Sequence, residues 1–139
     1  MSNLEIIQNK INAVERYLSI LKEYTKYSEE QIEADQTLSG ALERYLYLAA
    51  QATIDLAEAT ISHKQLRKPS TMSESFVILK EDNAISAELT KIMQKMVGFR
   101  NILAHDYEDI DFSILNDIHK EKTKDIVAFL NAIKQYLSL

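Results

Sequence analysis

Two glycines and one proline in 139 residues constrain this chain more than any other feature. Sheet proteins turn every few residues, and glycine and proline supply most of the φ angles and stops that such turns need. With so few of either, the chain is predicted to be all-helical and built from long helices. Its length suits one domain, residues 1–139, with a core large enough to stand without covalent staples. No internal repeat, low-complexity run or linker interrupts it.

Cysteine is absent, which excludes a disulfide framework and thiolate metal sites. The balance of 21 acidic against 16 basic residues gives a formal net charge of −5. A protein that coats nucleic acid carries a basic face, so bulk phosphate binding is excluded. Contact with RNA then requires a local basic site or a small footprint. The opening Met1-Ser2-Asn3-Leu4-Glu5 lacks the basic start and apolar run of a signal peptide. No stretch of about 18 apolar residues is present, so no membrane span is expected and the cytoplasm is the expected location.

The clearest periodicity is at the start. Leu4, Ile7, Ile11, Val14, Leu18 and Leu21 alternate spacings of three and four, a narrow helical seam. Ser2 with Glu5 reads as a capping box, and the helix is predicted to fade near Tyr27. A second helix is predicted from between Asp35 and Ser39 to about Lys64. It carries one stripe of Leu38, Leu42, Tyr45, Ala49 and Leu56 and another of Leu46, Ala50, Ile54 and Ile61, which makes it central. Pro69 blocks continuation. Thr71 with Glu74 marks a short third helix, and a fourth begins near Ser86 and carries Met93, Met96, Val97 and Leu103. Gly98 inside it costs about 1 kcal/mol relative to alanine, which points to a close approach by another helix. Asp111 caps a last helix holding Leu115, Ile118, Ile126, Phe129, Leu130 and Ile133. The expected fold is a four-helix bundle with one additional short helix. The broad apolar faces suit either mutual cover within the chain or a symmetric dimer.

Chemistry concentrates in Arg100-Asn101-Ile102-Leu103-Ala104-His105-Asp106-Tyr107. Five helical steps turn about 500°, so Arg100 and His105 point about 140° apart on an ideal helix. Convergence on one ligand requires the helix to end near Ala104 or a second copy to face it. Asn101 and His105, four apart, share a face. A purely structural role is also open: Arg and His suit a helix C-terminus, and Tyr107 suits a capping contact. The chemical role has its own logic. RNA is cleaved when its 2′-hydroxyl attacks the adjacent phosphate, which needs a base, an acid and positive charge on the phosphorane-like transition state. A histidine, with its usual pKa of about 6.5, serves as either acid or base. The arginine fork matches phosphate, and the 2′-hydroxyl separates RNA from DNA. One such histidine per chain is one proton carrier short, and a symmetric dimer supplies the second.

The run from Arg100 to Tyr107 resembles the signature of HEPN-domain ribonucleases, and more narrowly that of the HepT toxins: Arg, four residues, His, one residue, Tyr. The resemblance extends over nearly the whole chain, through size, helix order, motif position and the acidic stretch before the last helix. It implies a HEPN-type bundle and a homodimer that cleaves RNA, tRNA among its targets, at a cleft between protomers. Arg100 and His105 would be the catalytic pair, with no cofactor and no metal. Tyr107 would be the residue that the partner antitoxin of a type VII pair, an MntA-like minimal nucleotidyltransferase, modifies with AMP from ATP. The added phosphate would block and repel RNA. The alternative is a non-catalytic helical module that binds a nucleotidyltransferase or its substrate.

Other residues carry weaker signals. Asp55, four after Gln51 on the central helix, is either a supporting partner of Arg100 or of a second protomer, or an exposed helix acid. His63 and His119 are expected on solvated helix ends. Lys64, Arg67, Lys68, Lys91 and Lys95 make either a basic rim or a solvated face. There is no phosphate loop, nucleophile elbow or zinc motif, and no Glu-x-x-His for a di-metal bundle.

Overall fold

Ser2 opens the first helix by the reciprocal bonding that its spacing to Glu5 predicts. The Glu5 N–H donates to the Ser2 hydroxyl at 3.2 Å, and the Ser2 N–H donates to the Glu5 carboxylate at 3.1 Å. The computed structural model describes residues 2–105 and 111–139, and α1 spans Asn3–Glu23. Ile7, Ile11, Val14 and Leu21 of its seam are buried, while Leu4 is 52% exposed and lies outside the core. A single 3-10 turn, Tyr24–Lys26, ends this arm.

A helix that the sequence reading did not anticipate follows: α2, Glu29–Ala34. Its signal was a second capping box, in which Gln31 N–H donates to Ser28 Oγ at 3.1 Å and Ser28 N–H donates to Gln31 Oε1 at 2.7 Å. Only Ile32 of this helix is buried, so apolar periodicity could not reveal it. The Asp35 carboxylate then accepts from the N–H groups of Thr37 and Leu38 and starts α3, Gln36–His63. In α4, Met72–Glu81, Thr71 Oγ1 accepts from Glu74 N–H at 3.1 Å, but the Glu74 carboxylate reaches back to Ser70 N–H instead of completing the box on Thr71. Ser86 Oγ caps α5, Ala87–His105, and Asp111 caps α6, Phe112–Leu137. Among the described residues there are six helices and no strand.

The two-striped α3 is central, as its pattern predicts: it packs against α1, α2, α4, α5 and α6. Leu42, Leu46, Ala49, Ala50, Ile54, Leu56 and Ile61 are all buried. Phe76 of α4 meets Phe129 of α6 edge-on at 5.4 Å, both with no exposed surface. Each such ring or aliphatic side chain contributes about 1.5–3 kcal/mol by leaving water. At the far end of α6, Tyr136 donates to the Asp82 carboxylate and lies under the Lys64 ammonium. Burial first, and the Asp82 bond second, push its phenol up to about 12.

Three helix ends close by the same motif without glycine. Gln65, Asn83 and Ser138 have φ of 55°, 62° and 57°. At each, the next residue's N–H bonds a carbonyl five positions back, as Leu66 does to Ile61 at 3.0 Å. A non-glycine residue in this left-handed region costs about 1–2 kcal/mol, part of which glycine gives back as backbone entropy. Gln65→Gly is therefore expected to stabilise by about 0.5 kcal/mol, and Gln65→Val, with its branched Cβ, to destabilise by about 1 kcal/mol or more. Urea midpoints measure both, and a valine variant as stable as the parent overturns the strain argument. Among the described residues, no helix is long and apolar enough to cross a membrane.

Candidate functional site

The candidate site begins with how α5 is anchored. Met93, Met96, Val97, Phe99 and Leu103 are buried, and the opposite face carries Lys91, Lys95, Gly98, Asn101, Ile102 and His105 to solvent. Gly98 has nothing within 4 Å of where a Cβ would sit, so the close approach expected there is not made by any described residue of this chain. Ile102 is 50% exposed on the same face.

Arg100 lies between these faces, half-buried, and points across to α3. Its Nε donates to Gln51 Oε1 at 2.8 Å, Nη1 to Asn101 Oδ1 at 3.0 Å and Nη2 to the Tyr47 hydroxyl at 3.4 Å. The guanidinium also sits 5.3 Å from the centre of the Tyr47 ring. A guanidinium has five N–H donors. These partners take one from each nitrogen, which leaves one N–H on Nη1 and one on Nη2 for an incoming acceptor. Among the described residues no carboxylate pairs with Arg100, so its charge is held in place but not neutralised.

Asp55 does not reach Arg100 directly, the first of the alternatives raised for it. The Gln51 amide stands between them and donates from Nε2 to Asp55 Oδ1 at 2.9 Å. Asp55 thus orients Gln51, and Gln51 orients Arg100. Asp55 is half-buried, and its charge is the second cause, after burial, of the raised pKa of Glu58. Tyr47 and Gln51 are the supporting residues that the sequence reading did not assign to the site. Their signal was their shared stripe with Asp55, at spacings of four on α3. Gln51→Leu removes a charge-assisted acceptor from a half-buried guanidinium and is expected to lower stability by about 1 kcal/mol. Chemical denaturation checks this, and an unchanged midpoint shows that water replaces the amide at no cost.

His105 is the last residue of α5 and is exposed, with no hydrogen-bond partner among the described residues. The helix continues to His105, so within one chain Arg100 and His105 remain about 140° apart around it. Of the two routes to convergence, the early helix end is not taken. Asn101 and His105 do share the exposed face, though Asn101 spends its carbonyl on Arg100. Tyr107 lies outside the described residues, as does most of the acidic stretch before α6.

The other histidines correct the sequence reading. His119 is buried, not solvated: its Nε2 lies 3.1 Å from the Leu21 carbonyl, and its ring meets Tyr24 edge-on. It ties α6 to the end of α1. His63 is half-buried, with Nδ1 enclosed and unbonded. The proposed basic rim also divides. Arg67 is held by Glu81 at 2.8 Å and Glu74 at 3.4 Å, and Lys64 lies over Tyr136, so both serve the α3–α4 end of the bundle. Among the described residues no three His, Asp or Glu side chains gather as a metal site.

Helix order and an Arg-x4-His pair at the end of α5 define a HEPN-type helical bundle. Residues 14–133 match the family described as Ribonuclease HepT-like, and the chain belongs to that family. It is 30% identical to the mRNA nuclease HepT of Shewanella oneidensis, over 94% of this chain and 97% of the relative. It is 35% identical to the tRNA nuclease HepT of Aphanizomenon flos-aquae, over 80% of this chain and 77% of the relative. Its fold superposes with a TM-score of 0.84 on a tri-AMPylated Shewanella oneidensis HEPN toxin solved in complex with MNT antitoxin. That match has 30% identity and covers 97% of this chain and 99% of the other.

Proposed function

We propose that this chain acts as one domain, residues 1–139, and as the ribonuclease toxin of a HepT–MntA toxin–antitoxin pair. The observation that carries the proposal is the Arg100 guanidinium: oriented by Gln51, Tyr47 and Asn101, free of any described carboxylate, and left with two N–H donors beside an exposed His105. Two protomers meet along the exposed face of α5, where Gly98 leaves room and Ile102 offers apolar surface. Their union brings two Arg100–His105 pairs to one cleft. One His105 takes the proton of the RNA 2′-hydroxyl as the P–O2′ bond forms. The second protomer's copy gives a proton to the departing 5′-oxygen as the P–O5′ bond breaks. The products are a 2′,3′-cyclic phosphate and a 5′-hydroxyl. Arg100 meets the charge that builds on the non-bridging oxygens. No metal and no cofactor enters these steps.

The proposed substrate is tRNA, the RNA named for the 35% identical relative, and the proposed location is the cytoplasm, where that substrate resides. The proposed regulator is an MntA-like nucleotidyltransferase that transfers AMP from ATP to the Tyr107 hydroxyl. An O–P bond forms at the α-phosphorus and pyrophosphate leaves. The new negative charge, two residues from His105, repels the RNA backbone. The test pairs two assays. Purified protein is incubated with tRNA and mRNA in EDTA, where tRNA cleavage is expected and its complete absence overturns the nuclease reading. Intact mass after incubation with ATP, magnesium and the partner nucleotidyltransferase is expected to rise by whole AMP units, with no gain in Tyr107→Phe. A gain that survives in Tyr107→Phe overturns the assignment of the modified residue.

A further inference from the structure

In the proposed mechanism Arg100 engages one phosphate. An RNA strand brings several, and α3 offers a place for the next one. Gly40, Arg44, Tyr47, Gln51 and Asp55 follow one another at spacings of four, three, four and four, a single stripe along α3. Its lower half, Tyr47 to Asp55, is the support of Arg100. The upper half, Gly40, Arg44 and Tyr47, lines a cavity of about 360 Å³ together with the neighbouring Glu43, and the other wall is Leu103 and Ala104 of α5. Gly40 has nothing within 4 Å of a Cβ position, which keeps the head of the cavity open.

Arg44 stands in this cavity wall, exposed, with its guanidinium 5.4 Å from the centre of the Tyr47 ring. Arg100 lies 5.3 Å from the same ring. In a chain with net charge −5, carboxylates are abundant: Arg67 pairs with two, and Lys120, Lys122 and Lys134 with one each. Among the described residues Arg44 pairs with none, and neither does Arg100. Two guanidiniums that share one aromatic ring repel each other unless an anion lies near both. A stacked arginine keeps its donor edge available for phosphate while the ring holds its plane.

We propose that Arg44 and Tyr47 form a second phosphodiester subsite, which holds the RNA phosphate next to the one that Arg100 engages. This rests on the nuclease reading above. The subsite gives an acidic protein a local foothold on a polyanion, and it favours a strand over a single nucleotide. Tyr47 serves both subsites as a positioning residue: its hydroxyl accepts from Arg100 and its ring carries Arg44.

The experiment measures binding of 2′-O-methyl oligoribonucleotides, which cannot be cleaved, by fluorescence anisotropy at several salt concentrations. The probes are a hexanucleotide and a dinucleotide with one phosphodiester. Arg44→Ala is expected to weaken the hexanucleotide about tenfold, as loss of one charge-assisted contact does. It is also expected to reduce the slope of log Kd against log salt by about 0.7, the value for one single-strand phosphate. Dinucleotide affinity is expected to change less than twofold. Arg44→Lys keeps the slope and recovers part of the affinity, because the charge remains and the stacked fork does not. Equal losses on both probes place Arg44 at the scissile phosphate and overturn the proposal, and so does an unchanged salt slope. Binding of inorganic phosphate alone, with no preference for the hexanucleotide, marks a general anion site and also overturns it. If the parent protein cleaves RNA while Arg44→Ala binds as the parent does, the subsite fails and the nuclease reading stands. If the parent neither cleaves nor binds, both fail.

Discussion

His105→Ala is expected to abolish RNA cleavage while the protein melts as the parent does. The imidazole is exposed at the end of α5 and bonds no described residue, so its removal disturbs no packing among the described residues. Surface changes of this kind shift stability by about 0.5 kcal/mol or less, and the helix-end charge effect lies in the same range. The effect on rate is of another size. A single acid or base contributes about 10²- to 10⁴-fold. In a symmetric site the substitution removes both the acid and the base at once, so the loss is expected near the upper end of that range or beyond. Gel analysis of end-labelled RNA, paired with circular dichroism melting, separates the two effects. Retained cleavage in a folded His105→Ala protein refutes the catalytic assignment, whatever happens at Tyr107.

Arg100→Lys is expected to lose about 10²- to 10³-fold in kcat with KM changed far less. In the proposed mechanism its two remaining N–H donors meet charge that appears only in the transition state. Lysine keeps the charge but not the plane. It cannot donate at once to Gln51, Tyr47 and Asn101 and still present two further donors toward phosphate. Arg100→Ala is expected to lose at least as much rate and about 1–2 kcal/mol of stability, because Gln51 and Tyr47 lose the group they hold. The comparison isolates geometry from charge. A lysine variant with parental kcat shows that a point charge suffices, and the oriented fork then has no catalytic role. Loss in KM alone shows that Arg100 binds RNA equally in ground and transition states.

Much of this was legible in the sequence, and the reasons are local. Scarcity of glycine and proline excluded sheets. Ser2–Glu5 and Asp111 marked helix starts because capping acts within three residues. The double stripe on residues 38–61 foretold a central α3 because a helix shows its burial in its own period. Where local signals were thin, the reading failed. Residues 29–34 bury only Ile32, so the Ser28–Gln31 box passed without an apolar stripe to support it. His119 sits among Asp117, Lys120 and Glu121, and looked solvated. Its side chain in fact turns inward with Leu115 and Ile118, to a carbonyl on α1 that is 98 residues away in sequence.

The same division runs through the candidate site. Sequence alone determined that Arg100 and His105 stand near the end of one helix, that they diverge around it, and that Asp55 shares a helix with Gln51. Those relations follow from helical pitch, which acts over a few residues. Only the tertiary structure decided that Arg100 turns toward α3, that Gln51 and not Asp55 receives it, and that Arg44 shares its aromatic ring. The partners of Arg100 on α3 lie 49 and 53 positions away in sequence. Contacts at that separation leave no periodic trace along the chain. They exist because the buried face of α5 and the double stripe of α3 pack together, and packing sets the angle at which polar side chains beside that contact meet.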